Sequence, residues 1–353
     1  MRRAICGGYS FGVVRLWVSS ECAAHFESEG TEMNAFERTM TTWKVRTRKL
    51  ELGRRTLIMG VVNITPDSFS DGGRFLDPKA AVAHGIRLLD EGADLLDLGA
   101  ESTRPGSRTG GGEGALPPPA VSAEEEQDRL LPVLEGLLTT RPEAVISVDT
   151  YKAATAQAAC AGGAEIVNDV SGFFWDSGMA EACAKAECGV VLMHSRGRPE
   201  EWRMQSRLAP DELLAAVKAG LEASLERAVR TGISPETIVL DPGYGFGKKY
   251  EENYALLSRQ EELLEMGRPL LAGVSRKSFL GWTLASPHGA GVAPVEKREA
   301  ASVAAMVAAI LHGASIVRVH EVRAAVEAAL IADAVVRGGD QGSGVRDQSD
   351  LRD

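Results

Sequence analysis

Eight residues carry the chemistry open to this sequence: Asn63, Arg104, Asp149, Asn168, Asp241, Lys277, Arg318 and His320. Each stands at or just beyond the C-terminal end of a short apolar run. An ionised carboxylate accepts two parallel hydrogen bonds, so Asp149, Asp241 and the Asn168 amide suit a flat heterocycle with adjacent N–H donors. Arg104, Lys277, Arg318 and His320 suit a phosphorylated or otherwise anionic group. Gly243-Tyr244-Gly245-Phe246-Gly247-Lys248 is rich enough in glycine for backbone and an aromatic face to approach a ring closely. These residue types describe a pocket for a polar heterocycle beside an anion. The plainer reading is that strand-end polar residues only satisfy loop backbone. It is strongest for Asn63, because Asn commonly caps turns. His194 also ends an apolar run and reads equally as a base or as a structural residue.

Distant tips can act together only if the scaffold gathers them. Leu57 to Val62 is nearly all apolar with three β-branched residues, the pattern of a strand buried on both faces. A polar loop through Pro66 and Gly72-Gly73 follows, then a helix over Pro78 to Asp90 with Ala81, Val82, Ile86 and Leu89 on one face. The same unit recurs about eight times. Ser122 to Glu125 has the form of a capping box that opens a helix to about Leu138. Pro210 to Arg230 reads as a long amphipathic helix. Alternating strands and helices imply parallel strands. A doubly wound open sheet would carry G-x-G-x-x-G in its first unit, which is absent here, and its far strands could not share a site. The expected fold is therefore α/β, a single (β/α)8 TIM barrel in which all tips meet at one mouth. Thr42 to Leu52 reads as a short hairpin able to plug the other end.

Length and composition agree with this. A barrel fits within 353 residues as one domain, and a hydrophobic content of 44% can fill it. A net charge of −10 argues against general nucleic-acid binding. No apolar run reaches the roughly 18–20 residues of a membrane span. Five cysteines at irregular spacing suggest reduced thiols in a cytoplasmic protein, with Cys183 and Cys188 as small buried hydrophobes. Residues 1–40 read as a disordered extension rather than a signal peptide, because Arg15 interrupts their apolar run; Met33 and Met40 are alternative starts. Residues 41–338 form the expected barrel and 339–353 a disordered tail.

Several stretches together resemble one family. Asn63 to Gly73 (NITPDSFSDGG), Gly99 to Gly106 (GAESTRPG), Ser147 to Thr150, Asn168 to Val170, Asp241 to Lys248, Ser275 to Ser278 and Arg318 to His320 resemble, in unbroken order, the motifs of dihydropteroate synthases. That resemblance implies condensation of 6-hydroxymethyl-7,8-dihydropterin pyrophosphate with p-aminobenzoate, giving dihydropteroate and pyrophosphate. By motif, Asp149, Asn168, Asp241 and Lys277 would hold the pterin. Asn63, Arg318 and His320 would hold the pyrophosphate, with Asn63 at a Mg²⁺ ion. Phe69, Arg104, Pro105, Phe246 and Ser278 would frame p-aminobenzoate, and Thr103 would also bind substrate. The catalytic set would be Asp149, Lys277, Arg318 and His320. The resemblance also implies a homodimer through outer helices, for which the Ala-rich stretch Ala300 to Leu311 is a candidate, and a place among sulfonamide targets.

Two features depart from the family pattern: a long Gly- and Pro-rich loop after Arg104, and Tyr151 where a small residue is expected, which could narrow the mouth. A methyltetrahydrofolate-dependent corrinoid methyltransferase would share the pterin contacts, but would not need Ser275-Arg276-Lys277 with Arg318-Val319-His320. An inactive pterin-binding scaffold would have lost tip residues, and all are present.

Overall fold

A parallel strand covered on both faces needs apolar residues at almost every position. In the computed structural model, which describes residues 38–64, 78–99, 121–285 and 291–338, such runs form a closed barrel. A hairpin of β1 (Thr41–Lys44) and β2 (Lys49–Leu52) precedes it. The barrel strands are β3 (Leu57–Asn63), β4 (Leu95–Gly99), β5 (Ile146–Asp149), β6 (Ile166–Asp169), β7 (Gly189–Met193), β8 (Ile238–Asp241), β9 (Leu270–Ala272) and β10 (Ala314–Val319). They pair in parallel in chain order, and β10 closes on β3. Around them lie α1 (Pro78–Asp90), α2 (Ala123–Thr140), α3 (Ala153–Ala161), α4 (Met179–Ala186), α5 (Pro210–Arg230), α6 (Tyr250–Leu257), α7 (Ser278–Ala285), α8 (Glu299–Leu311) and α9 (Val322–Gly338). The expected barrel and hairpin are both present.

Alternation along each strand divides the apolar residues into two layers. Outward ones pack under the helices, while Leu57, Met59, Leu95, Ile166, Val239 and Ile316 point inward and fill the lower half of the barrel. The hairpin seals that end. Trp43 is fully buried there, and its Nε1 donates to the Thr237 carbonyl at 2.8 Å. Buried Glu165 accepts from the Thr47 backbone N at 2.7 Å and from the Thr47 hydroxyl. Arg38, assigned to the extension on sequence, has its guanidinium buried against the barrel: it donates to Asp333 at 2.7 Å and to Thr56 Oγ1 at 2.8 Å. Asp333 also accepts from the Thr56 backbone N at 2.9 Å, so one carboxylate of α9 fixes the start of β3.

Two helices refine the expectations. Ser122 caps α2, its hydroxyl accepting from the Glu125 backbone N at 3.1 Å. Helix α1 has the expected bounds but buries Ala81, Gly85 and Leu88, leaving Val82, Ile86 and Leu89 half-buried. Gly85 is the reason: a Cβ there would lie 2.8 Å from Leu137, so the missing methyl lets α1 seat on this face.

Candidate active site

Strand register sets the site. Asn63, Gly99, Asp149 and Asn168 are successive cross-strand partners on β3 to β6, so their inward side chains share one level at the C-terminal end of the barrel. Asp241 ends β8 beside Met193 of β7, and Arg318 points inward from β10. Gly99 and Gly273 line the floor with backbone alone, where an added Cβ would come into ordinary contact with Asp149 and Asp241, 3.8 Å away in each case. The resulting cavity of about 270 Å³ is lined by Asn63, Asp149, Asn168, Asp241, Phe246, Lys277, Ser278, Arg318 and His320, every sequence-assigned site residue among the described ones. Phe69, Thr103, Arg104 and Pro105, together with the long loop after Arg104, lie outside the described residues.

The floor is an ionic cluster. Arg318 Nε donates to Asp97 Oδ2 at 2.5 Å and its Nη2 to Asp149 Oδ2 at 2.8 Å. Asn168 Nδ2 also donates to Asp97 Oδ2, at 3.0 Å. Burial pushes the Asp149 carboxyl up to about 7, against the pull of Arg318; Asp97 and Glu126 add to the rise and Lys277 opposes it. Burial works against the Arg318 charge, but Asp97 and Asp149 outweigh it and hold the guanidinium above its ordinary value. Asp241 is pushed upward by burial, while the Gly243 N–H that it accepts at 2.7 Å pulls it back. The cluster can therefore present negative charge to a heterocycle and keep its arginine charged.

Loop chemistry aims the cationic side. Arg276 adopts φ 58°, unusual for a side chain larger than glycine. Its backbone N donates to Ser302 Oγ at 2.9 Å, its carbonyl accepts from Arg298 at 2.9 Å, and its guanidinium pairs with Glu321. This held turn delivers Lys277 to the cavity, with Nζ 4.0 Å from the centre of the Phe246 ring. Ser275 Oγ lies 3.0 Å from His320 Nδ1 and joins the ends of β9 and β10. Ser278 opens α7 at the rim.

Other tip residues serve the frame. His194 does not line the cavity: its ring packs on Gly220 of α5, where a Cβ would lie 2.5 Å from its Cδ2. Burial, aided by Lys248 and Arg196, holds its pKa well below the usual histidine value. Tyr151 does not narrow this cavity either; its ring meets Trp175 edge-on, with centroids 5.2 Å apart.

Sequence reasoning missed Asp97, Trp202 and Arg298, and named Arg276 only as part of a motif. Asp97 is fully buried on β4, and its Oδ1 has no hydrogen-bond partner among the described residues. A lone Asp two residues before a strand tip shares the tip's inward parity, and that signal could have found it. Trp202 opens a single 3₁₀ turn, Trp202–Met204, in the connection after β7 and meets Phe246 edge-on at 5.3 Å. No periodicity marks it.

The chain matches a family described as "Pterin binding enzyme" over residues 59–320. It is 43% identical to dihydropteroate synthase of Mycobacterium leprae over 296 residues, 82% of this chain and 96% of that protein. Among solved structures, it resembles the Xanthomonas albilineans dihydropteroate synthase with 4-aminobenzoic acid (40% identity, 84% of this chain and 98% of that one, TM-score 0.72). It also resembles the Yersinia pestis enzyme in complex with a sulfonamide drug (38% identity, 84% and 100%, TM-score 0.73). An eight-stranded barrel with this mouth, aligned to such relatives almost from end to end, belongs to the dihydropteroate synthase family of pterin-binding enzymes.

Proposed function

We propose that the cavity binds 6-hydroxymethyl-7,8-dihydropterin pyrophosphate and joins its methylene carbon to the amine of p-aminobenzoate, with release of pyrophosphate. One observation carries the assignment: two carboxylates, a partly buried Asp149 and a buried Asp241, share a cavity with the Asn168 amide, Lys277, Arg318 and His320. In this reading Asp241, Asn168 and Lys277 hold the pterin ring. Asp149 lies where positive charge grows as the carbon–oxygen bond breaks, and its ionised form stabilises that charge. Arg318 and His320 face the departing pyrophosphate. The electron-rich dihydropterin delocalises the cation, so the weakly basic arylamine attacks without a strong general base and no side-chain nucleophile is required. Phe246 and Ser278, with Phe69, Arg104 and Pro105, frame p-aminobenzoate, and Thr103 also binds substrate.

The donor set fits Mg²⁺. The described residues contain no cluster of three or more His, Cys, Asp or Glu side chains suited to a metal, and Asn63 offers one amide oxygen at the mouth. Mg²⁺ commonly takes only one or two protein carboxylates beside substrate phosphates and water, and here the neutral Asn63 amide would leave more of its shell to phosphate and water. Asn63 would hold it, and it would supply charge neutralisation to the leaving pyrophosphate.

The proposed assembly is a homodimer. Of α8, Ala305, Met306, Ala309 and Ile310 are buried against the barrel. The neighbouring α9 exposes Leu330, Ile331 and Val335, which makes it the better face for a second copy. The proposed compartment is the cytoplasm, where the buried free thiols Cys160, Cys183 and Cys188 stay reduced. No helix among the described residues is long and apolar enough to cross a membrane.

The test is incubation with the pterin pyrophosphate, Mg²⁺ and labelled p-aminobenzoate. The expected result is labelled dihydropteroate with one pyrophosphate released per turnover. Absence of product from folded protein rejects the reaction.

A further inference from the structure

Lys248 is 6% exposed, does not line the cavity, and has no part in the chemistry above. Its Nζ donates to the carbonyls of Gly243 at 2.7 Å, His194 at 3.2 Å and Phe246 at 3.4 Å. An ammonium has three donors and no acceptor, so three carbonyls replace its water; a neutral amine would still donate to two. Lysine is rarely buried this deeply without such partners. The carbonyls come from two loops, His194 from the one after β7 and the others from the one after β8.

The second loop carries the heterocycle side of the pocket. The Gly243 backbone N donates to Asp241 Oδ1 at 2.7 Å. Gly243 sits at φ 70°, so close to the first loop that a Cβ would lie 2.0 Å from the His194 oxygen. Phe246 lies beneath the Lys277 ammonium. Buried Asn253 accepts the Gly245 N–H at 2.7 Å, and the Tyr244 hydroxyl donates to Gln260 at 2.7 Å. Lys248 gathers the carbonyls of this turn from inside, while Asn253 takes an N–H from another side.

We propose that Lys248 is a positioning residue: it never meets substrate, and it holds Asp241 and Phe246 in the orientation that receives the pterin and the arylamine. This rests on the assignment of Asp241 to the pterin. The bond to Gly243 is the shortest of the three and leads directly to Asp241, so the pterin side depends on Lys248 most. Burial lowers the Lys248 ammonium to about 7, and in its charged form it also favours ionised Asp241.

Lys248→Met keeps the side-chain stem and removes every donor. The expected result is a KM for the pterin pyrophosphate raised about tenfold or more, with the KM for p-aminobenzoate at saturating pterin raised about threefold and kcat changed less than that. Lys248→Gln, with two donors, recovers part of the loss. An unchanged pterin KM in folded Lys248→Met overturns the proposal, as does a fall in kcat with both KM values unchanged. Asp241→Asn is measured alongside. If it leaves the pterin KM unchanged, the pterin assignment fails and this inference falls with it. Should Lys248→Met not fold, Lys248→Gln and Asp241→Asn are compared singly and together. A double variant little worse than the worse single supports the proposal, and fully additive losses overturn it.

Discussion

Both ends of this barrel bury charged and aromatic side chains, but their charges have different kinds of partner. At the hairpin end Asp333 meets Arg38 and Thr56, Glu165 meets Thr47, and Trp43 meets Thr237, all within the protein. At the mouth, Asp149, Asp241 and Lys277 line open space, and the raised value of Asp149 reflects burial first, with the neighbouring carboxylates Asp97 and Glu126 adding to it. In a (β/α)8 barrel the first arrangement serves stability and the second serves chemistry. Substitutions at the two ends should therefore damage different observables.

The largest effect belongs to the closed end. Asp333→Ala leaves the Arg38 guanidinium and the Thr56 N–H buried without their acceptor, and should cost about 3–5 kcal/mol of stability. Denaturant titration measures it, while KM values of the folded fraction should hold. A shifted pterin KM would break the division between the ends. At the mouth, Asp241→Ala should cost about 2–4 kcal/mol of pterin affinity by calorimetry with a small change in melting temperature. Unchanged affinity would remove Asp241 from the site.

A smaller effect sharpens the account of the mouth. Asp149 is neutral below its pKa of about 7 and ionised above it, and only the ionised form stabilises the growing cation. Turnover should therefore rise with pH through that region, and Asp149→Asn should be slower and lack this limb. A limb that survives the substitution belongs to another group. The smallest effect is a shortened chain starting at Met40, which loses Arg38 but keeps the bonds between Asp333 and Thr56. It should lose roughly 1–3 kcal/mol against a chain starting at Met33 and retain its KM values. Equal denaturation midpoints would show that the ion pair contributes nothing.

The same contrast explains what could be read from the sequence. Tips such as Asp149 and Asp241 were legible because an apolar run ending in a polar residue encodes both strand and position, and parallel register then fixes which tips are neighbours. Asp97 was missed because attention to tips overlooks the inward residue one repeat lower. The buried face of α1 was read only in part, with Ala81 on it, because Gly85 shifts it without leaving an apolar mark. Arg38 carries no local signal, since its partner is 295 residues away. Strand tips follow from local pattern, whereas ion pairs between ends of the chain arise only on folding.

The Trp43 plug has a kinetic consequence. With the lower half of the barrel packed solid and that end shut, the described residues leave ligands one doorway. Both reactants arrive through it and both products depart through it, in opposite directions and in turn. Dihydropteroate still seated in the doorway blocks the next pterin and the next arylamine alike. Accumulating product should therefore inhibit competitively against the pterin substrate, and traffic at the doorway can limit turnover even when bond-making is fast.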